Sequence, residues 1–368
     1  GREIEPIDGD EIRKIGRELI HKGIRHVGII GKFSVRNPAH EIQIGEILHE
    51  DFEKIFLGHS LSGNLNFPRR IATTYLNASV YPIHKEFFTA VKDSLAAKGL
   101  DLPIRILKAD GGNIKFESSI DIPGQTILSG PAASVMGSLA FGSHDKETLV
   151  LDIGGTTTDM IVLINGVPLL APLGIGLGGY KTLIRSLDMC SIGIGGDSLV
   201  RMSGKDIVVG PERLGPAMAY GGPVPTPTDA LFVMGKMENG DRQKSISGIA
   251  PIATVLNLTI EQTAKKIFTQ TCENIIKEAE NMVTRLNQKP VYTIHEIQEG
   301  YHLNPKEILI LGGPAPFFAE EIRELSGLNV QVVPKWSVAN AIGAALARTT
   351  SEVTLFADTE KCLSLIHI

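Results

Sequence analysis

Residues 149–164, LVLDIGGTTTDMIVLI, set an acid, two glycines, three threonines and a second acid between two apolar runs. A turn carrying Gly154 and Gly155 lets backbone N–H groups converge on an anion without obstruction by Cβ atoms. The hydroxyls of Thr156, Thr157 and Thr158 add donors at the same depth. Two acids beside a phosphate repel it unless a divalent cation lies between them, so Asp152 is a candidate Mg2+ ligand acting through the metal's waters. A P-loop uses a glycine-rich turn and a lysine leading into a helix. Here a second apolar, β-type run follows instead. The same residues also suit an ordinary tight hairpin, with glycine for positive φ and threonine for β propensity. The segment alone does not choose between the two.

A second stretch, ILILGGPAPFFAEEI, delivers Gly312-Gly313 from an apolar run to the start of a helical pattern. Bare backbone there lets a flat ligand such as adenine or ribose lie against the chain, although an ordinary strand-to-helix turn reads the same way. In SVANAIGAALA, Ala339, Ala341, Gly343 and Ala344 permit close helix packing. GIGLGG at 174–179 matches G-x-G-x-x-G, but the PLLAPL before it is a poor strand and Asp188 comes too early for a dinucleotide acid. No His-Glu-x-x-His pair appears, and Ser129 is not in a G-x-S-x-G elbow. Cys190 reads as a small apolar residue, His40-Glu41 as a helix cap or surface pair, and Arg69-Arg70 as a solvated helix start.

Elements that must position these residues can be read from the periodicity. Residues 9–22 space Ile12, Ile15, Leu19 and Ile20 on one helical face, and HVGIIGKF reads as a strand. A long helical stretch follows Arg69-Arg70, with a break expected near Pro82. PIRILKADGG reads as a short strand ending in a glycine turn. The run from Glu147 to Leu169 reads as two antiparallel strands with a further hairpin signal at Asn165-Gly166. Residues 190–258 are rich in Gly and Pro and read as irregular. Thr259 is a candidate N-cap with Gln262 at the capping-box position, opening a helix of about eight turns. A polar stretch at 143–147 is the expected domain boundary, giving 1–145, 146–348 and a C-terminal tail at 349–368 without a clear element.

The chain has 368 residues, 43% hydrophobic and 21% charged, with a formal net charge of −5. That balance offers no nucleic-acid surface and no basic membrane patch, and no apolar run approaches the roughly 18 residues of a spanning helix. Cys190, Cys272 and Cys362 are odd in number and in no metal-like spacing, which suits a reduced, cytoplasmic setting.

The order of an acid-Gly-Gly-Thr hairpin, a strand leading to Gly-Gly, and a small-residue helix resembles the actin, sugar kinase and Hsp70 superfamily. Within it, TILSGPAASVMGS, LDIGGTTTDM, SIGIGGDSLVR, VGPERLGPAMAYGGPVPTPTDALFVMGKM and ILILGGPAPFFA resemble the hydantoinase A/oxoprolinase family. VGIIGKFSVRNPAHEIQIGEIL, RRIATTYLNASVYPI and ILKADGG are similar to the region before that family's core. The resemblance implies an α/β fold of bilobed actin/Hsp70-like (ribonuclease H-like) domains with mixed sheets, the first lobe incomplete. It implies ATP and Mg2+ as cofactors and ATP-dependent opening of a cyclic amide of hydantoin or 5-oxoproline type, by phosphorylation of the carbonyl oxygen. It leaves open a nucleotide-binding subunit of a ketone carboxylase, or a non-catalytic actin-like nucleotide-binding protein. Carried over, Asp152 serves the metal and catalysis, and Gly154, Gly155 and Thr156 to Thr158 serve the phosphates. Gly195 and Gly196 line the cleft, Gly312 and Gly313 flank adenosine, and Asp229 stands near the substrate. A hydantoinase B-type partner subunit and an oligomer are implied, with neither nucleic acid nor membrane as partner.

The sequence departs from the family in two places. The family's first acid-Gly-Gly-Thr hairpin is missing, which is expected either of a fragment of a longer subunit, the favoured reading, or of a divergent form with half of its phosphate cradle absent. Asp197 stands where the family has a third glycine after Gly195-Gly196, which adds a candidate metal ligand or a solvated acid.

Overall fold

The computed structural model describes residues 5–139, 141, 146–171, 173–288, 302–358 and 363–367. Most of the polar stretch expected as a domain boundary, and Cys362, lie outside the described residues. Contacts divide the chain into two units: Gly1–Ser129 with Leu170–Ser186 and Ala347–Ile368, and Gly130–Leu169 with Leu187–Leu346. The junction therefore falls at Ser129/Gly130, and the chain leaves and re-enters the second unit once.

The first unit begins with helix α1 (Gly9–His21), whose first N–H groups bond the Asp8 carboxylate. Strand β1 (His26–Ile29) leads through α2 (Ala39–Leu48) to β2 (Lys54–Leu57), which pairs with β1 in parallel. A short helix α3 (Gly58–Leu61) precedes α4 (Phe67–Ala97). Helix α4 runs through Pro82 without the expected break. Pro82 costs one helical hydrogen bond, but the turns on either side are pinned by buried Asn77, Tyr81 and His84. Asn77 accepts from Gly124 N–H at 2.8 Å, and His84 Nε2 bonds Ser119 Oγ at 2.7 Å.

In each of two pairs that read as solvated, the second residue is buried instead. Glu41 is 1% exposed, and its carboxylate accepts from Gly31 N–H, His59 N–H and His59 Nδ1 at 2.7, 2.9 and 2.6 Å. Arg70, also 1% exposed, donates to the carbonyls of Gly31, Lys32 and Asn64. Together they brace the loops at the carboxyl ends of β1 and β2. Arg69 reaches the carbonyls of Leu173 and Thr182. Strand β3 (Arg105–Leu107) ends in the expected glycine turn at Gly111-Gly112, which the structure extends into a hairpin with β4 (Asn113–Lys115), and α5 (Phe116–Ser119) follows.

The second unit opens with α6 (Ser129–Leu139), β5 (Glu147–Ile153) and β6 (Thr158–Ile164), the last two antiparallel as expected. Asn165 and Gly166 both take positive φ, 51° and 76°, and turn the chain into β7 (Val167–Pro168). The chain then returns to the first unit, where β8 (Gly176–Leu177) and β9 (Tyr180–Lys181) make a hairpin of GIGLGG. No helix follows, so the G-x-G-x-x-G match is not a dinucleotide fingerprint.

Back in the second unit, β10 (Met189–Ile192) pairs with β6, and β11 (Val200–Ser203) with β12 (Asp206–Val209). Much of the stretch expected to be irregular is helical: α7 (Pro227–Val233) and α8 (Arg242–Leu256). Helix α9 (Ile260–Asn287) starts in the predicted box, with Thr259 and Gln262 capping each other reciprocally. Strand β13 (Glu307–Leu311), α10 (Ala315–Ser326), β14 (Asn329–Val332) and α11 (Ala339–Leu346) complete the unit. In the remaining tail β15 (Thr354–Asp358) and β16 (Leu363–His367) pair antiparallel.

The central sheet has the order β10-β6-β5-β13-β14. In chain order this is 3-2-1-4-5, with the second strand antiparallel to its neighbours and β5, β13 and β14 mutually parallel. That is the ribonuclease H-like mixed α/β arrangement the sequence implies. Side-chain alternation sends Leu149, Leu151 and Ile153 to a core shared with α7 to α10. Val150, Ile161, Leu163 and Leu309 point to the opposite face, with Ala132, Val135 and Ala339 of α6 and α11. A Cβ at Gly343 would lie 1.8 Å from Ala133 O, so the small-residue helix exists to let α11 touch the α6 backbone. No helix among the described residues is long and apolar enough to cross a membrane.

Candidate functional site

Asp152 is the penultimate residue of β5, on the parity of Val150, so its side chain continues the face covered by α6. Asp159 is its direct cross-strand partner on β6. Directly opposed residues of an antiparallel pair share a face with Cβ atoms about 5 Å apart, and like charges there destabilise the pair. Burial raises the affinity of the Asp152 carboxylate for a proton, offset by a hydrogen bond with Ser134. Asp159 is shifted the same way by burial, offset by Ser191 and reinforced by the charge of Asp152.

The turn between them is tight: Gly154 N–H donates to Thr157 O at 2.9 Å. A second backbone segment packs against it. Gly196 N–H donates to Gly154 O at 2.9 Å, and Asp197 N–H to Gly155 O at 2.7 Å. A Cβ at Gly195 would lie 2.6–2.7 Å from Gly154 O and from Gly155, so only glycine permits this approach. Thr228 secures the segment from α7, its N–H and hydroxyl both donating to Gly196 O. A third segment comes from β13. Leu311 pairs with Asp152, and Gly312 follows at φ 97°. A Cβ there would lie 2.2 Å from Ile153 O and 2.7 Å from Asp152 Oδ1. Gly313 is exposed, and a Cβ on it would meet nothing within 4 Å. Three backbone segments thus converge at the carboxyl ends of parallel strands β5 and β13, where open α/β sheets bind ligands.

Some expected site residues have other work. Asp229 is fully buried and accepts from Met218 N–H, Ala219 N–H, Thr226 N–H, Thr226 Oγ1 and Ser245 Oγ at 2.6–3.0 Å. Five donors occupy its two oxygens, so it anchors the start of α7 where a substrate contact was expected. Thr158 is also fully buried and gives its hydroxyl to Ile194 O at 2.7 Å, so it ties β6 to the 194–197 segment and is not presented to a phosphate. Thr156 is exposed at the tip of the turn, and Thr157 is half-buried. Asp197 forms an ion pair with Arg213, Nη2 to Oδ2 at 2.9 Å, whereas Asp152 faces Asp159. The second acid beside Asp152 is therefore Asp159, already visible in the hairpin motif. Ser134, Ser191 and Arg213 lie within the family-like blocks quoted above, yet nothing in those blocks marks them as partners of the three acids.

Oxygen donors alone make up the Asp152–Asp159 pair, as a hard divalent cation requires. Their mutual repulsion and burial fit such a cation, although among the described residues no group of three or more His, Cys, Asp or Glu is arranged around a metal position. A water-retaining ion such as Mg2+ needs only one or two carboxylates. Cys190 is half-buried on β10 and Cys272 fully buried on α9, where burial pushes its thiol well above the usual range.

The model of the hydantoinase/oxoprolinase family matches residues 70–353, and that of the family's N-terminal region matches residues 1–52. The acetophenone carboxylase gamma subunit of Aromatoleum aromaticum is 26% identical over 86% of this chain and 45% of its own length. The 5-oxoprolinase of Saccharomyces cerevisiae is 26% identical over 95% of this chain and 28% of its own. The crystal structure of the ATP-dependent caprolactamase of Pseudomonas jessenii superposes with a TM-score of 0.74 at 22% identity, covering 97% of this chain and 53% of that one. The chain spans about half the length, or less, of the curated relatives it matches.

Proposed function

That this chain belongs to the hydantoinase/oxoprolinase family is the premise from which we propose that it is the nucleotide-binding part of an ATP-dependent hydrolase opening a cyclic amide. The observation that carries the reading is the convergence of bare backbone at Gly154-Gly155, Gly195-Gly196 and Gly312-Gly313 around the Asp152–Asp159 pair. Phosphates bind where N–H groups are unobstructed by side chains, and paired carboxylates suit the divalent ion that accompanies a triphosphate.

An amide carbonyl is a poor electrophile. Transfer of the γ-phosphoryl group to its oxygen, with ADP leaving, makes that oxygen a good leaving group. Water then adds to the carbon, and the ring C–N bond breaks as the nitrogen takes up a proton, leaving an acyl phosphate that a second water hydrolyses to the carboxylate and free phosphate. Asp152 and Asp159 would hold Mg2+, which supplies charge neutralisation between the phosphate oxygens. Gly155, Thr156 and Thr157 hold the phosphates in line with the substrate oxygen, Gly154 shapes the turn with its N–H bonded to Thr157 O, and Gly312-Gly313 carries the adenosine. Holding the reactants in register is what the protein contributes. A second subunit of hydantoinase B type completes the enzyme in this reading.

A carboxylase reading is favoured by two relatives, the acetophenone carboxylase gamma subunit and the acetone carboxylase beta subunit. The test is phosphate release from Mg-ATP by the full assembly, with hydantoin, 5-oxoproline or a simple lactam added. Release that depends on the cyclic amide supports the hydrolase. Release that requires a ketone and bicarbonate replaces it with the carboxylase, and binding of ATP without turnover under either condition leaves a nucleotide-binding protein.

A further inference from the structure

The ion pair between Asp197 and Arg213 lies directly on the turn assigned to the phosphates. Asp197 is the fixed member. Its N–H donates to Gly155 O at 2.7 Å, and its carboxylate accepts from Ala217 N–H as well as from Arg213. A Cβ at Gly155 would lie 2.7 Å from Asp197 Oδ2, so the carboxylate rests against the bare α-carbon of the turn. The Asp197 side chain is 18% exposed, whereas that of Arg213 is 41% exposed. The guanidinium is bound to the acid through Nη2 alone, which uses one of its five donors. Arg213 is thus a half-exposed cation, one carboxylate away from Gly155, on a pivot.

Charge balance gives that cation a use. Asp152, Asp159 and Asp197 are gathered around the turn, with buried Asp229 close enough to act on Asp197. A triphosphate entering such a site needs positive charge beyond one divalent ion. We propose that Arg213 contacts the terminal phosphate of the bound nucleotide, leaving its ion pair with Asp197 to do so, and that the pair sets the preference for triphosphate over diphosphate. Guanidinium forks match phosphate oxygens in two-pronged geometry, so the exchange replaces one charge-assisted bond with two. Asp197 then acts as the competitor: it neutralises Arg213 in the empty site and lowers the net affinity for ATP. The proposal rests on the nucleotide reading above and concerns this chain's own departure from three consecutive glycines.

The test is equilibrium binding of Mg-ATP and Mg-ADP to the wild type and to Arg213→Met, Arg213→Lys and Asp197→Asn, with melting temperatures measured alongside. Arg213→Met should weaken ATP binding about 10- to 100-fold, the worth of a charge-assisted contact, while ADP binding falls less than about threefold. Arg213→Lys keeps the charge without the fork and should fall between. Asp197→Asn removes the competitor and should tighten ATP binding by up to about tenfold with ADP little changed. An ATP/ADP ratio unchanged in Arg213→Met, or in Arg213→Lys if the first variant does not fold, overturns the proposal while the nucleotide reading stands. Failure of the wild type to bind either nucleotide removes both.

Discussion

Replacing Gly312 by alanine tests the geometry at the heart of the site without removing a charged group. Its φ of 97° lies in the left-handed region, where an L side chain costs about 1–2 kcal/mol. The added Cβ would sit 2.2 Å from Ile153 O and 2.7 Å from Asp152 Oδ1. The carbonyl belongs to the end of β5, paired with β6 and β13, and cannot withdraw without disturbing the sheet. Forcing a methyl group into such a contact costs roughly 1–3 kcal/mol more. A combined loss of about 2–5 kcal/mol corresponds to a melting temperature lower by roughly 5–15 °C in a unit of this size. Gly313→Ala is the internal control. Its Cβ meets nothing within 4 Å, so stability should change by less than about 0.5 kcal/mol. Adenosine seated against that residue would nevertheless lose affinity. Thermal melts of both variants, with and without Mg-ATP, separate the two effects. A Gly312→Ala protein melting within a degree of the wild type would refute the reasoning about this approach.

Asp152→Asn should stabilise the nucleotide-free protein at neutral pH while abolishing the additional stabilisation that Mg-ATP gives, read by thermal shift with and without EDTA. The sign follows from the raised folded-state values of Asp152 and Asp159. The folded protein binds more protons than the unfolded chain above the ordinary carboxylate value, so stability falls as pH rises through that window and recovers as pH is lowered. A wild type whose apo stability is flat across the window, with Asp152→Asn no more stable, contradicts this. Asp229→Ala should lose more than about 3 kcal/mol in urea denaturation, because it strands five donors, all but Met218 N–H in fully buried bonds. If instead the variant were as stable as the wild type but inactive, Asp229 would return to the reacting groups.

Features decided within a few residues were legible in the sequence. The β5–β6 hairpin, the Asn165-Gly166 turn and the Thr259–Gln262 capping box each depend on neighbours close in sequence, from Thr259 and Gln262 in the box to Glu147 and Ile164 at the open end of the hairpin. Residues whose partners are remote were misread. Glu41 and Arg70 look solvated until the loops after β1 and β2 fold over them. Asp229 looks like a free acid until Met218, Ala219 and Ser245 arrive from two other elements. Thr158 belongs by composition with Thr156 and Thr157, yet strand alternation turns it toward Ile194. The tight Gly154-Gly155 turn was legible from its glycines, because bare backbone is a local property. The pairing of Asp197 with Arg213 was not, since nothing in either residue's own neighbourhood announces the other.

Strand β13 is buried at every position and sits in the middle of its sheet, yet it joins β5 about 160 residues after that strand is made. Until then the ribosome-bound chain holds a finished β5–β6 hairpin whose apolar β5 margin has no neighbour, an invitation to pair with other nascent chains. The edge where the Gly154-Gly155 and Gly312-Gly313 turns meet, which β5 and β13 build jointly, can therefore be assembled only late in synthesis, after the long α9 helix has emerged. Slow or interrupted translation in that interval is expected to yield aggregates in preference to a partly active protein, and a holdase chaperone acting there should raise the yield of folded chains.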